Sequence, residues 1–324
     1  MNAFAPHGPL GMGGAPLGNL GHAISDAAAH ATVEAAWSAG VRHFDTAPHY
    51  GAGLSEHRMG HVLRYKPRDA FTLSSKVGRM LAPVASVPAF AEGFQHGLSF
   101  ERRVDYTADG ARRSIEDSLQ RLGMSRLDIV YIHDCAPDWL GDAWEEQFAI
   151  AMRGAAPALT RLREEGVIGG WGLGVNVVEP CLRALAQSDP NVFLMAGRYT
   201  LLDHAALREL LPQCVARGAK VVIGGPYNSG LLAGGTTFNY EAAAPEMAAR
   251  AQALGAACAR HGVDLKAAAL QFCAAHPAVA AVIPGAQTTG ELEQNVAMMA
   301  QPIPAALWAE LKATGLLPEA APTP

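Results

Sequence analysis

Leu127-Asp128-Ile129-Val130-Tyr131-Ile132-His133 is a short apolar run, rich in β-branched residues, that reads as a buried strand. A helical pattern over about Gly110–Leu122 precedes it, and Gly123 stands where a helix C-terminal glycine belongs. The same order recurs upstream: a helix over about Ala27–Ala39, then Gly40, then a strand over Val41–Asp45. Further strands are expected at Phe71–Lys76, Ile168–Gly174, Val192–Ala196, Ala219–Ile223 and Val279–Ile283, with a short first one at Leu10–Gly13. Helical patterns lie between them at about Ala155–Glu165, Pro180–Gln187, Ala205–Ala216 and Pro245–His261. Repeated alternation makes a parallel sheet, and eight such units favour a single-domain α/β fold of the (β/α)8, or TIM barrel, type. A doubly wound open sheet would want GxGxxG directly after the first strand. Gly11-Met12-Gly13-Gly14 followed by Pro16 does not open a helix.

The chain has 324 residues, 50% hydrophobic and 17% charged, enough to bury one large core and too apolar for a disordered chain. A net charge of −5 leaves no basic excess to neutralise nucleic-acid phosphates or to hold anionic lipid. Cys135, Cys181, Cys214, Cys258 and Cys273 are dispersed without a CxxC, which reads as reduced thiols in a cytoplasmic protein rather than a disulfide frame or zinc cluster. The opening residues lack a positive region followed by an apolar run, and no apolar stretch reaches the roughly 20 residues of a membrane span. The Ala/Pro-rich residues 318–324 are expected to form a flexible tail.

Two connections are long, 77–109 and 134–153. Both begin at strand C-terminal ends, the face on which barrels build active sites. Phe94, Phe100, Tyr106, Trp139 and Trp144 in them suggest pocket walls rather than disorder. Successive strands end in Asp45, Lys76 and His133, and Tyr50 follows Asp45 in the next loop. Converging on one mouth, these would form a proton-transfer site. The Lys76 ammonium is expected to lower the phenol pKa of Tyr50, Asp45 to fix and charge Lys76, and His133 to hydrogen-bond a substrate oxygen. That suits interconversion of a carbonyl and an alcohol with hydride carried by a cofactor. Taken alone, each residue has a plainer reading as a loop cap, a solvated strand end, a core histidine or packing.

Gly40-Val41-Arg42-His43-Phe44-Asp45-Thr46-Ala47-Pro48-His49-Tyr50-Gly51 resembles the signature segment of the aldo-keto reductase superfamily. So do Ser114–Gly123, Leu127–His133 and Ile168–Asn176. The resemblance spans nearly the whole chain. It implies a barrel holding an extended NAD(P), with Asp45, Tyr50, Lys76 and His133 as the catalytic tetrad and Asn176 on the nicotinamide carboxamide. Ala196–Asp203, Gly224–Leu232 and Asp105-Tyr106 resemble the branch of L-fucose and D-threo-aldose 1-dehydrogenases and pyridoxal 4-dehydrogenase, which oxidise a cyclic hemiacetal to a lactone with NAD. Gly224 aligns where relatives stack a Tyr on the nicotinamide, so either Tyr227 substitutes or nothing does. Gly225 and Tyr227 are expected among the cofactor-binding residues, and Ser229, Gly230 and Leu231 are expected to approach the pyrophosphate with backbone amides. Relatives that use NADP carry a basic and a hydroxyl residue after the last strand, then an Arg. Here Gly285, Gln287 and Glu291 stand there, and a carboxylate accepting ribose hydroxyls favours NAD over NADP. Asn295 matches the adenine-contacting position.

The expected protein is thus an NAD-dependent oxidoreductase acting on a small sugar or pyridoxal-like hemiacetal, with no bound metal, nucleic-acid partner or membrane association. Its rivals are an NADPH-dependent aldehyde reductase, a non-catalytic nicotinamide-binding redox sensor, and a metal hydrolase using His43, His49, His57 and His61. Cys135 reads as a loop wall rather than a nucleophile, and Trp171 as either core or barrel mouth.

Overall fold

The computed structural model describes residues 6–324. Eight parallel strands pair in chain order: β1 Met12–Gly13, β2 His43–Asp45, β3 Thr72–Val77, β4 Leu127–His133, β5 Ile168–Val175, β6 Val192–Ala196, β7 Lys220–Gly224 and β8 Val279–Ile283. The ends meet. Leu10 and Gly13 bridge Val282 and Gly285 in parallel, and the Gly11 and Gly13 amides donate to the Val282 and Pro284 carbonyls at 2.9 Å each. The sheet therefore closes into the expected barrel, and each strand falls within two residues of its expected bounds.

Period-two alternation sorts the side chains. Ile129 and Tyr131 of β4 pack inside the barrel with Val192, Leu194, Val222 and Ile283. Val130 and Ile132 point outward into the layer between sheet and helices, alongside Phe44, Leu73 and Leu173. Burial on both faces is why these strands read as continuous apolar runs. Each such large side chain contributes about 1.5–3 kcal/mol when fully buried. The same alternation turns Asp45, Lys76 and His133 inward at the top of β2, β3 and β4. Trp171 is fully buried in the outer core layer, which settles its two readings in favour of packing. At Gly172 a side chain is excluded: a Cβ there would lie 1.9 Å from the Val192 carbonyl oxygen.

Helix starts follow capping chemistry. Ser25, Thr107 and Thr288 accept hydrogen bonds from the amides of Ala28, Gly110 and Glu291. Gly123 closes its helix in the left-handed conformation, φ 63°, as expected. The pattern expected over Ala205–Ala216 is two helices, Ala205–Arg208 and Leu210–Arg217. Pro212 has no N–H to give and its ring crowds the carbonyl four residues back, at Arg208, so the helix breaks there. Helices Trp144–Arg153 and Leu265–Ala274 were not foreseen.

Three connections stand over the strand C-terminal ends. Residues 77–109 fold as an antiparallel pair, Arg79–Pro83 with Phe100–Val104, carrying a smaller one, Phe90–Ala91 with Phe94–Gln95. Phe94 bridges Leu20, which seats this arm across the mouth. Residues 134–153 form Pro137–Leu140 and Trp144–Arg153, and the β7 connection carries the pair Thr237–Phe238 with Glu241–Ala242. Within residues 318–324, Ala321 is buried against the body. No helix among the described residues is long and apolar enough to cross a membrane.

Candidate active site at the barrel mouth

A cavity of about 540 Å³ opens at the strand C-terminal ends, and Tyr50, Lys76 and His133 all line it. Lys76 and its partner Asp45 are each 2% exposed. Lys76 Nζ donates to Asp45 Oδ2 at 2.6 Å and to the Thr46 carbonyl at 2.8 Å. Ser74 Oγ donates to the other carboxylate oxygen at 2.6 Å. Both charges are thus paired and hydrogen-bonded, the condition under which burial is tolerated. Lys76 Nζ stands 4.7 Å from the Tyr50 ring centroid, and the His133 ring is edge-on to Tyr50 at 5.8 Å. The four remote residues do converge.

The loop carrying Tyr50 is fixed from behind. Ser55 Oγ donates to the Gly14 carbonyl at 2.7 Å and meets Thr46 Oγ1 at 2.8 Å. Gly18 passes so close that a Cβ there would lie 2.6 Å from the Tyr50 carbonyl carbon.

The electrostatics correct one expectation. The Tyr50 phenol pKa is raised well above 10, not lowered, by burial first and then by the carboxylates of Asp45 and Asp134. Lys76 is already neutralised by Asp45, so its ammonium gives the phenolate no net help. Burial also raises Asp45, with Lys76 and Ser74 pulling it back. Burial, then Arg79 and Lys76, hold His133 well below 6.5, so the imidazole is neutral at physiological pH. Its Nδ1 has no protein partner, and its Nε2 lies 3.4 Å from Asp134 Oδ2.

Of the candidate cofactor residues, Asn176, Gly225 and Ser229 line the cavity. Asn176 Nδ2 is 3.4 Å from Asp138 Oδ2. Gly225, Ser229 and Gly230 have positive φ, and nothing lies within 3.6 Å of where a Gly225 Cβ would stand. Leu231 is buried beside them in a 3-10 turn. Tyr227 turns away: its hydroxyl donates to Asn295 Oδ1 at 2.7 Å, and Asn295 Nδ2 reaches the Gly285 carbonyl at 3.5 Å. Glu291 Oε2 accepts the Gln287 amide at 2.7 Å, while Gln287 Nε2 donates to the Leu20 carbonyl at 2.9 Å. A Cβ on Gly285 would strike Pro16. These last residues cluster at the end of β8, outside the cavity wall.

Phe94 and Trp139 line the cavity, as expected of wall residues, whereas Tyr106 is buried beneath it and donates to the His133 carbonyl at 2.8 Å. Phe100 is outside the cavity lining, and Trp144 packs on Phe148. His43 is buried inside the barrel, His61 stacks on His30, and His57 lies on the helix Leu54–Leu63. The four histidines are dispersed, and no group of three or more potential ligands among the described residues could hold a metal. Cys135 is fully buried, with its thiol pushed up to about 12.

A charged wall was missed. Arg79, 2% exposed, donates from Nη2 to Asp134 Oδ2 at 2.5 Å, lies 3.0 Å from His49 Nδ1, and stacks on Trp139 at 3.6 Å from the ring centroid. Burial, with Arg79 and Arg102, lowers His49 to about 2, so it is neutral. The only sequence signal was position: Arg79 three residues beyond Lys76, and Asp134 directly after His133.

Residues 9–315 match the model of the Aldo/keto reductase family. Pyridoxal 4-dehydrogenase of Microbacterium luteolum is 40% identical over 322 residues, 95% of this chain and 94% of the relative. D-threo-aldose 1-dehydrogenase of a Pseudomonas species is 40% identical over 320 residues, again 95% and 94%. An aldo-keto reductase from Bacillus halodurans, solved in its holo form, matches the fold with a TM-score of 0.70 at 24% identity, over 98% of this chain and 97% of its own. The chain belongs to the aldo/keto reductase family, whose members use a nicotinamide cofactor, and is an oxidoreductase.

Proposed function

We propose that the protein oxidises a small cyclic hemiacetal to a lactone with NAD, with Asp45, Tyr50, Lys76 and His133 as its catalytic group. The observation that carries this reading is the crowding of phenol, ammonium pair and neutral imidazole around one open cavity. The two relatives at 40% identity, a D-threo-aldose 1-dehydrogenase and a pyridoxal 4-dehydrogenase, support the reaction class.

The residues present fit a nicotinamide dinucleotide. Ala15, Gly174, Gly197 and Gly225 line the cavity together with Asn176 and bring little or no side chain to it. Asn176 would hold the carboxamide, and the positive-φ run through Gly225, Ser229 and Gly230 would present backbone to the pyrophosphate. Bound there, the oxidised cofactor supplies a hydride acceptor and a positively charged ring. Gly285, Gln287, Glu291 and Asn295 would take the adenosine end, where Ile283–Glu291 offers no Lys or Arg to a 2′-phosphate.

His133 positions the anomeric oxygen through an N–H of its neutral ring. Tyr50, as phenolate, takes the proton from the anomeric hydroxyl as the anomeric C–H bond gives up its hydride and the C=O of the lactone forms. Asp45 holds Lys76 against the loop, so the phenol meets a fixed ion pair rather than a mobile cation. In the reverse direction the protonated phenol is already the stable form and donates to the carbonyl oxygen.

The test is reduced-cofactor absorbance with L-fucose, D-arabinose and pyridoxal, each with NAD and NADP. NADH formation at a lower cofactor KM than for NADP is expected. No turnover of any of them removes the substrate class, and tighter NADP binding removes the reading of Gly285 and Glu291.

A further inference from the structure

The cavity that holds the proton-transfer group also carries a charged pair beside His133. Arg79 and Asp134 line it together with Tyr50, His133 and Trp139. Arg79 is held by Asp134, His49 and the face of Trp139, with Glu92 Oε2 3.9 Å from its Nη1, and its Nε is buried with no partner. Asp134 sits in the left-handed region, φ 47°, with its amide donating to the Gly174 carbonyl at 2.9 Å. Aspartate adopts this conformation more readily than most side chains, and the amide hydrogen bond fixes where its carboxylate stands. A guanidinium and a carboxylate withdrawn from water are also costly unless their remaining hydrogen-bonding capacity is met.

A vicinal diol would match the pair where it lines the cavity. Each hydroxyl donates one hydrogen bond and accepts others, so adjacent hydroxyls can give to Asp134 and take from Arg79 at once. An alkyl hemiacetal offers neither. Pyridoxal in its cyclic form keeps only one free ring hydroxyl, the phenol, and cannot span the pair in this way. We infer that Arg79 and Asp134 form a diol-reading pair that selects aldoses with free vicinal hydroxyls beside the anomeric carbon. The inference rests on the hemiacetal reading above and narrows its substrate.

The experiment compares kcat/KM for L-fucose and for 2-hydroxytetrahydropyran, a cyclic hemiacetal with no other hydroxyl, using the full chain with NAD. The wild type is expected to prefer the sugar by about 100-fold or more, because a site built to bond hydroxyls rejects analogues that lack them. Asp134→Asn and Arg79→Lys should each cut that preference by about tenfold or more, chiefly through the KM of the sugar. A merely structural role would lower both substrates together and leave the ratio alone. An unchanged ratio in both variants, or a wild type that favours pyridoxal or the bare hemiacetal, overturns the pair while hemiacetal oxidation stands. Turnover of none of these substrates overturns the underlying reading, and the pair with it. If neither variant folds, as judged by NADH quenching of tryptophan fluorescence, the wild type decides: equal kcat/KM for L-fucose and its 2-deoxy analogue overturns the inference.

Discussion

Tyr50 is a phenol whose surroundings favour its protonated form: it is largely withdrawn from water, two carboxylates act on it, and the nearby ammonium is spent on Asp45. Because the pKa is raised, the phenolate fraction near neutrality is small and grows tenfold per pH unit. Oxidation should therefore climb steadily from pH 7 into the alkaline range, whereas carbonyl reduction, which uses the phenol, should stay nearly flat there. Initial rates in both directions across pH 6–10 check this, and an oxidation rate already level at pH 7 would contradict it. Asp134 gives the opposite limb. Burial raises its carboxyl to about 6, against the pull of Arg79 and Lys76, with Asp138, His133 and Tyr50 as its other neighbours. Protonation below about pH 6 removes an acceptor, so KM for a sugar should rise as pH falls through that value while His49 and His133, both neutral, stay silent. A sugar KM constant from pH 7 to 5 would contradict the assignment. Lys76→Met would leave the Asp45 carboxylate buried and unpaired, a loss of about 3–5 kcal/mol. Urea unfolding measures it, with Asp45→Asn/Lys76→Met recovering part; a loss under about 1 kcal/mol would mean the pair is dispensable to the fold.

At the scale of elements, what was legible depended on burial. Strands covered on both faces announce themselves as apolar runs, so β4 and β6 were read to the residue, whereas the two-residue β1 and three-residue β2 were over-extended. Because each strand alternates in and out, knowing its end was enough to place Asp45, Lys76 and His133 on one mouth. The arm over 77–109 gave no such signal: its strands are short, partly solvated and antiparallel, and pair residues as far apart as Arg79 and Val104. Arg79 rides on that arm, which is why its meeting with Asp134 and His49 was not legible. Nor was the sign of the Tyr50 shift, since burial is a property of the assembled loops. β5 and β6 show how tightly the barrel is drawn. Gly172→Ala would push a methyl to 1.9 Å from the Val192 carbonyl oxygen, so a destabilisation of about 1–3 kcal/mol or more is expected in urea unfolding. A neutral effect would mean that the strands part more easily than their packing implies.

For the whole molecule, the division of labour is between a closed barrel and the three arms set on its rim. The barrel positions Asp45, Lys76 and His133 at one mouth, and the arms supply Arg79, Trp139 and the positive-φ run at the cavity. The β8 end, where Glu291 is held by the Gln287 amide, lies outside the cavity lining, and the proposed reading gives it the adenosine end of the cofactor. Proton transfer through one phenol is the claim on which the rest stands, and single-turnover hydride transfer in Tyr50→Phe tests it most directly. Such a variant should still quench on binding NADH but transfer hydride to or from an aldose about 10²–10⁴-fold more slowly than the wild type. Hydride transfer at the wild-type rate in a variant that binds cofactor normally would contradict the account.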